Sequence, residues 1–328
     1  MLLPLKNFKI ILGLCVGICI LFMYISQSMQ EGKILTIKTP RWLSAYRDPE
    51  FNNSMEGKNK TFTSIVEVND ALRLETKVRV LCWIMTSPKT LYKKCKAVKE
   101  TWGKRCNKVL FFSSQTDANF PAIGLNVSEG RQHLTEKTMM AFTYIYHNHL
   151  NDADWFMKAD DDTYVIVENL RYFLSSKNSS LPVYYGHWFK PFLKQGYYSG
   201  GAGYVLSKEA LRRFGKFSNK SCVKAGHYED VDLGRCMDKL GVLTGSSHDD
   251  QGRSRFHCFD PKTMLFRGFP SWYLEYDKYG AKKNNMSDYA ISFHYIAPAN
   301  MYLLDYYVYH LRPYGLYKRI HEAAHGKL

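Results

Sequence analysis

Three adjacent aspartates, Asp160, Asp161 and Asp162, are the residues of this sequence with the clearest capacity for chemistry. Apolar residues 155–157 before them predict the end of a buried strand, and the β-branched run 163–167 follows them. Adjacent carboxylates repel one another and are costly to bury without a counter-charge. A hard divalent cation with oxygen ligands compensates them and can also hold a diphosphate. A solvated acidic turn is the alternative, and the strand-like flanks count against it.

The apolar and amphipathic runs before the triplet predict an α/β sheet that carries it. Residues 78–85 form a near-continuous apolar run of the kind that is buried in a parallel sheet. After it come, in order, a helix over 93–102, a strand over 108–112, a helix over 134–149 and the strand that ends at the triplet. This alternation is typical of an α/β domain, in which ligands bind at the carboxyl ends of the strands. We therefore expect the sheet to present the triplet to a ligand.

An uncharged N-terminal run predicts a membrane anchor. Residues 10–25 carry no charge, and residues 26–30 extend the run to about the 20 residues that span a bilayer. Lys6 and Lys9 precede it, which favours a cytoplasmic N-terminus and a lumenal C-terminal part. A signal peptide cleaved near residues 26–28 is the alternative. The predicted organisation is a cytoplasmic tail over 1–9, a transmembrane signal-anchor over 10–30, a stem over 31–76 and a single lumenal domain over 77–328.

The charge of the chain and its glycosylation sequons narrow the classes of partner. The formal net charge of +15 and the pI near 9.3 favour an anionic partner, which can be a nucleotide, a nucleic acid or an anionic membrane. Asn-X-Ser/Thr sequons after the predicted anchor favour the lumen, so we expect no nucleic-acid partner. The sequons are at Asn52, Asn59, Asn126, Asn178, Asn219 and Asn285.

The cysteines are consistent with an oxidising compartment. Cys15 and Cys19 fall within the predicted anchor, which leaves an even set of six out of eight. Such a set allows up to three disulfides, and the sequence alone leaves their connectivity open. No Cys-X-X-Cys pair or zinc-spaced Cys/His cluster occurs, which argues against structural zinc.

Three motifs occur in a characteristic order along the chain. They are the run around the triplet from Trp155 to Val165, the run Ser199-Gly-Gly-Ala-Gly-Tyr-Val-Leu-Ser207, and the aromatic run 306–315. Together, over residues 77–315, the chain resembles the core 1 β1,3-galactosyltransferase family and, more broadly, the Fringe-like inverting β1,3-glycosyltransferases. The resemblance implies a GT-A fold, a type II anchor in the Golgi membrane and a homodimer. It also implies manganese-dependent transfer of galactose from UDP-galactose to GalNAc on Ser or Thr of glycoproteins.

The resemblance assigns a metal and donor site to matching positions. Asp160 and Asp162 would hold Mn²⁺ at the phosphates of UDP, and His294 would be the remaining protein ligand. A core histidine is the alternative for His294, which lies among aromatic residues. Asp161 belongs to the donor pocket and would support the turn. The other residues that match positions lining this pocket are Met85, Glu129, Gly130, Arg131, Lys137 and Tyr295.

The resemblance also implies one general base, because inversion of configuration needs no protein nucleophile. In related transferases the Asp of a Glu-Asp pair is the base, which assigns this role to Asp230 and places Glu229 to hydrogen-bond the acceptor sugar. Gly200 and Gly201 would let the backbone approach the sugar closely. Trp272 would stack on the acceptor, and a packed aromatic surface is the alternative.

Cysteine pairing and the acceptor segment are the features in which the chain departs from the family. The predicted disulfides are two family-like pairs, Cys82–Cys106 and Cys222–Cys236, and a substitute pair, Cys95–Cys258. Residues 284–288 contain no cysteine where members of the family carry two adjacent ones. The aromatic acceptor segment is also shorter and different, which leaves the acceptor open.

Other functions stay open on the sequence alone. One is a Fringe-like transferase that uses another UDP-sugar, such as UDP-GlcNAc, or another acceptor. Another is a non-catalytic, chaperone-like member of the family, although such members lack the acidic triplet. The last is a lumenal carbohydrate-binding protein, for which the Asp230 carboxylate would be dispensable.

Overall fold

Buried apolar strands alternate with amphipathic helices in the order that the sequence predicts. A computed structural model describes residues 70–266, 268–277 and 286–312, which belong to one compact unit over residues 61–328. The predicted tail, anchor and most of the stem lie outside these residues, so their organisation stays a prediction. Within the described ranges, no helix has both the length and the apolar character needed to cross a membrane.

Short strands and helices follow one another from residue 80 onward. The strands are β1 (Val80–Met85), β2 (Lys108–Ser113), β3 (Ala122–Gly124), β4 (Trp155–Asp160), β5 (Tyr164–Val165), β6 (Val183–Gly186), β7 (Trp188–Phe189), β8 (Tyr197–Tyr198), β9 (Tyr204–Ser207), β10 (Leu243–Thr244), β11 (Phe256–His257) and β12 (Ser292–Phe293). The α-helices are α1 (Lys96–Glu100), α2 (Leu134–His149), α3 (Val167–Leu174), α4 (Lys208–Ser221), α5 (Glu229–Lys239), α6 (Pro261–Phe266), α7 (Ser271–Tyr276) and α8 (Pro298–Tyr309).

The main sheet is mixed and confirms the predicted α/β class. Its strand order is β10-β6-β9-β4-β1-β2-β3, with β1 parallel to both β2 and β4. β9 runs antiparallel between β4 and β6. Two smaller sheets, β11-β12-β5 and β7-β8, accompany it. Because β1 and β4 are parallel and in register, their carboxyl ends meet at one edge of the sheet.

The predicted elements are present, with one helix shorter than expected. The strand expected over 78–85 is β1, and the helix expected over 134–149 is α2. The helix expected over 93–102 is instead a wide π-helical turn at Leu91–Cys95, the short α1 and a 3-10 turn at Trp102–Arg105. Wide turns of this kind occur frequently at functional sites. This one carries Lys94, which contacts the acidic triplet.

The core lies on both faces of β1. All six β1 residues are buried, and successive side chains point to opposite faces. Val80, Cys82 and Ile84 pack in one hydrophobic cluster, and the alternate residues pack in the other. On that second face Trp83 meets Phe142 of α2 edge to face, with ring centroids 5.0 Å apart. A strand buried on both faces explains why its sequence is apolar without alternation.

Two of the three predicted disulfides form, and the third prediction is wrong. The chain contains the pairs Cys82–Cys106 and Cys222–Cys236. The other two described cysteines are buried free thiols, Cys95 and Cys258. The two thiols have different neighbours. Cys95 hydrogen-bonds to Thr86, and Cys258 hydrogen-bonds to Ser199. Burial raises the pKa of the Cys95 thiol to about 12 and raises that of Cys258 as well.

Candidate active site

A small sheet brings His294 to the acidic triplet. Asp160 is the last residue of β4, and it pairs with Met85 at the end of β1. β12, which ends directly before His294, pairs with β5, which begins shortly after the triplet. The backbone N–H of Ile296 then donates to the carbonyl oxygen of Asp162 at 2.8 Å. The strands on either side of the two motifs therefore hold them together.

Asp160, Asp162 and His294 form a group that can hold a divalent metal ion. His294 Nε2 lies 3.1 Å from Asp162 Oδ1 and 3.8 Å from Asp160 Oδ2. One ligand atom of each residue lies within 4.8 Å of the others. Two carboxylates and an imidazole suit a divalent metal ion, a class that includes the manganese implied by the family resemblance. Burial acts to raise the pKa of Asp162, but contacts with His294 and Lys94 outweigh it and hold that pKa below its usual range.

Two lysines offset part of the negative charge of the triplet. Lys94 Nζ donates to Asp161 at 3.0 Å and to Asp162 at 2.9 Å. Lys158 Nζ, on a side chain that is 2% exposed, donates to Asp160 at 2.5 Å. Neither lysine stands out in the sequence. Lys158 precedes Asp160 by two strand positions, so the two side chains share one face of β4, and this spacing is the signal that identifies it.

Asp161 supports the turn, as predicted. Its side chain is buried, and it accepts a hydrogen bond from Thr86 Oγ1 at 2.9 Å as well as the one from Lys94. Burial raises the pKa of this carboxyl, and the hydrogen bonds from these neighbours oppose the shift. The carboxylate thus ties the triplet to the residue that follows β1. The three aspartates have unequal roles.

A charged cleft of about 490 Å³ extends from the triplet. Met85, Glu129, Arg131 and Lys137, all predicted to bind the donor, line it, together with Tyr295 and Asp161. Lys137 is almost fully buried and donates to Glu129 Oε2 at 2.7 Å and to the Thr86 carbonyl at 3.0 Å. Gly130 is not part of the lining. Its φ of 125° turns the chain between Glu129 and Arg131, a conformation that suits glycine.

A second cleft, of about 670 Å³, is lined mainly by aromatic rings. Trp272, which is predicted to stack on the acceptor, lines it, and its ring centroid lies 5.7 Å from that of Tyr276. Phe189, Phe192 and Tyr197, which the sequence does not single out, complete the aromatic wall. They come from β7, the segment after it, and β8, so only the folded chain brings them together.

Asp230 stands where the charged cleft and the aromatic cleft meet. It lines both, as do Arg131, Gly201, His294 and Tyr295. Asp230 is the second residue of α5, and the backbone N–H groups of Val231 and Gly200 hydrogen-bond its carboxylate. Burial and the adjacent charge of Glu229 nevertheless raise the pKa of Asp230 to about 6. A carboxylate with this pKa is a better proton acceptor than an ordinary one, and it is still ionised at neutral pH.

Gly200 and Gly201 make room for protein side chains. A Cβ on Gly200 would overlap the carboxylate of Glu229, and one on Gly201 would overlap the His294 ring. Both glycines also line the charged cleft, and their close approach to a sugar stays a prediction. Glu229 lines the charged cleft, and its Oε1 accepts hydrogen bonds from Thr138 at 2.9 Å and from Tyr204 at 2.7 Å.

Tyr295 covers His294, the candidate metal ligand. Its ring stacks on that of His294 with a centroid separation of 3.9 Å, and the residue is 56% exposed. Its φ of 58° places the backbone in the left-handed region, which is unusual for an aromatic residue and occurs mostly at functional positions. The turn after β12 thus directs the His294 ring to the acidic triplet and the Tyr295 ring to the two clefts.

Comparisons with known proteins identify the family to which the chain belongs. The family model described as Fringe-like matches residues 76–257. Glycoprotein-N-acetylgalactosamine 3-beta-galactosyltransferase 1 of Xenopus laevis is 51% identical over 249 residues, which cover 74% of this chain and 69% of that protein. Chondroitin sulfate synthase 3 of Homo sapiens is 33% identical over 178 residues, which cover 48% of this chain and 20% of that protein.

A solved glycosyltransferase involved in glycosylation of the major capsid of PBCV-1 has a TM-score of 0.41 and 12% identity. The likeness covers 69% of this chain and 98% of that one. The Fringe-like match and the Xenopus relative together show that the chain belongs to the Fringe-like family and, within it, to the glycoprotein-N-acetylgalactosamine 3-beta-galactosyltransferases.

Proposed function

We propose that the protein is an inverting, manganese-dependent glycosyltransferase. It would transfer galactose from UDP-galactose to the 3-hydroxyl of GalNAc-α-Ser/Thr on glycoproteins. The observation that carries the proposal is the position of Asp230, between a charged cleft with a metal-ligating group and an aromatic cleft. The name of the Xenopus relative supports the choice of GalNAc as acceptor and galactose as the transferred sugar.

The charged cleft would bind the nucleotide donor. Asp160, Asp162 and His294 would hold Mn²⁺, which supplies charge stabilisation for the departing diphosphate. Arg131 and Lys137 line the same cleft and add positive field around an anionic ligand. Because the metal stabilises the leaving group, the chain needs no acid on that side.

Asp230 would act as the general base. Its carboxylate accepts the proton of the acceptor 3-hydroxyl while that oxygen attacks the anomeric carbon from the face opposite UDP. Burial and the charge of Glu229 raise the pKa of Asp230 to about 6, so the group is ionised at neutral pH and accepts a proton more readily than an unperturbed aspartate. One base in this position accounts for inversion, because no covalent intermediate is formed.

The aromatic cleft would bind the acceptor sugar. Trp272 and Tyr276 offer apolar ring faces against which the C–H side of a sugar packs. Asp230 is within reach of both clefts, so an acceptor held against these rings would lie beside the base. This arrangement supports a sugar acceptor and does not choose among sugars.

The location and assembly of the protein are part of the proposal. The uncharged run over 10–30, with Lys6 and Lys9 before it, supports a single-pass type II anchor, and the two disulfides support an oxidising lumen. Membership of the family is the basis for choosing the Golgi membrane and for expecting a homodimer.

A donor screen crossed with simple acceptors tests the function. A soluble fragment starting at about residue 35 would be assayed with UDP-galactose, UDP-GlcNAc and UDP-glucose against a GalNAc-peptide and an unmodified peptide. We expect transfer of galactose to the GalNAc-peptide alone, loss of transfer with EDTA and its recovery with Mn²⁺. Absence of EDTA-sensitive galactose transfer would reject the proposal, and transfer from another donor would reassign the sugar.

A further inference from the structure

Lys158 lies between the metal ligands and the base. Its side chain is 2% exposed, and its ammonium donates to Asp160 at 2.5 Å and to the carbonyl oxygen of Gly200 at 3.0 Å. The backbone N–H of Gly200 in turn hydrogen-bonds the carboxylate of Asp230. A short chain of contacts therefore runs from a metal-ligating carboxylate, through one lysine and one glycine, to the base.

Glu229 balances the charge of this lysine. The position that a Cβ of Gly200 would occupy overlaps the Glu229 carboxylate and lies 3.5 Å from Lys158 Nζ. The carboxylate and the ammonium are therefore close to the same point. Thr138 of α2 and Tyr204 of β9 fix the other oxygen of Glu229. The buried ammonium is thus surrounded by carboxylates from both halves of the site. Removing one member of a buried group of charges leaves the others uncompensated, which is strongly destabilising.

We propose that Lys158 is a positioning residue that fixes Asp230 relative to the metal ligand Asp160, so that the donor and the acceptor hydroxyl are held at reacting distance. The inference rests on the proposed transferase function. Small misplacements of reacting groups lower rates by about 100-fold. Lys158 contacts Asp160 from the protein interior, so it is not itself a ligand of the metal.

Lys158→Met tests this role, because methionine keeps the length of the side chain and removes the charge. We expect kcat for galactose transfer to fall about 100-fold. Mn²⁺ affinity, measured by electron paramagnetic resonance of the free ion, should stay within about threefold or increase, because a cation beside Asp160 has been removed. Lys108→Met is the matched control, since Lys108 forms a surface ion pair with Asp152 at 2.6 Å, and it should retain both properties.

Two results of this experiment would overturn the inference. One is a Lys158→Met protein with kcat within threefold of the parent. The other is a parallel loss of Mn²⁺ affinity and turnover, which indicates general damage to the site. An inactive parent protein that still binds Mn²⁺ would instead reject the transferase function, so the two failures are distinguishable.

A second pair of variants covers the case in which Lys158→Met does not fold. Glu229→Gln and the double variant Lys158→Met/Glu229→Gln differ only in the lysine, and the double variant restores the balance of buried charge. If Lys158 positions the base, the unfolding temperature of the double variant should be close to that of Glu229→Gln. The kcat of the double variant should be about 100-fold lower than that of Glu229→Gln. Equal turnover in the two proteins would show that the lysine matters for stability alone.

Discussion

The two clefts that meet at Asp230 are held in place by different forces. In the charged cleft, each carboxylate has a specific cation or hydrogen-bond donor, such as Lys94 for Asp161 and Lys158 for Asp160. In the aromatic cleft, Trp272 and its neighbours are held by ring contacts with centroids 5.7–6.2 Å apart. Ion pairs are local and depend on single atoms, whereas ring packing is shared among many contacts. A single substitution should therefore have a large effect on the first cleft and a small effect on the second.

The largest effect is expected at Asp230, the proposed base, which lines both clefts. Asp230→Asn keeps the size of the side chain and removes its ability to accept a proton. We expect kcat to fall about 1000-fold, with little change in the affinity for UDP, because a positioned base contributes rate factors of this order. Single-turnover assays and UDP titration by calorimetry measure the two quantities. A variant that keeps a tenth or more of the parental kcat would show that Asp230 is not the base.

The next largest effect is expected at Gly201, where the absence of a side chain leaves room for the His294 ring. The Cβ added by Gly201→Ala would overlap the His294 ring, which must move away from Asp162. We expect Mn²⁺ affinity to fall at least tenfold and stability to fall by about 1–3 kcal/mol, the usual cost of overpacking. Gly268→Ala is the control, because no described atom lies within 4 Å of its added Cβ. Unchanged Mn²⁺ affinity in Gly201→Ala would remove His294 from the ligand set.

A smaller effect is expected on the aromatic side. Trp272→Ala removes one ring of a wall that several rings share. We expect KM for the GalNAc-peptide to rise about tenfold, which corresponds to about 1.4 kcal/mol, while KM for UDP-galactose is unchanged. Trp272→Phe keeps an aromatic face and should recover most of the affinity. An equal rise in both KM values would contradict the separation of the clefts.

The activity of the protein should also depend on pH. Asp230 must be ionised to accept a proton, and its pKa is raised to about 6 by burial and by the charge of Glu229. Activity should therefore be fully present above this pKa, fall to about half near pH 6 and be lost as the pH decreases further. A kcat/KM profile that is flat down to pH 5 would show that no group with this pKa controls the reaction.

The charged cleft follows from the sequence more closely than the aromatic cleft does. Asp160 and Asp162 lie two residues apart in the chain at the end of one strand, and the order of strands and helices places that end at the sheet edge. His294 requires the resemblance as well, because it is distant in sequence and lies among aromatic residues. Its position then follows from the pairing of β12 with β5.

The rest depends on packing that no local pattern encodes. Phe189 and Tyr197 reach the aromatic cleft from separate short strands, and each looks like an ordinary apolar residue in the sequence. The same limit explains the wrong pairing of Cys95 with Cys258, because an even number of cysteines says nothing about which thiols lie close together. Lys158 is an intermediate case, since its spacing from Asp160 is visible but its contact with Gly200 is not.

The Cys222–Cys236 disulfide restrains the segment that carries the proposed base. The bond closes a covalent ring that contains Glu229 and Asp230, and closing a loop of this size stabilises a fold by about 3 kcal/mol. The candidate metal ligands Asp160, Asp162 and His294 lie outside this ring and outside the one closed by Cys82–Cys106. Reduction of this bond would therefore release the segment that carries Asp230, whereas the candidate metal ligands lie outside the opened loop.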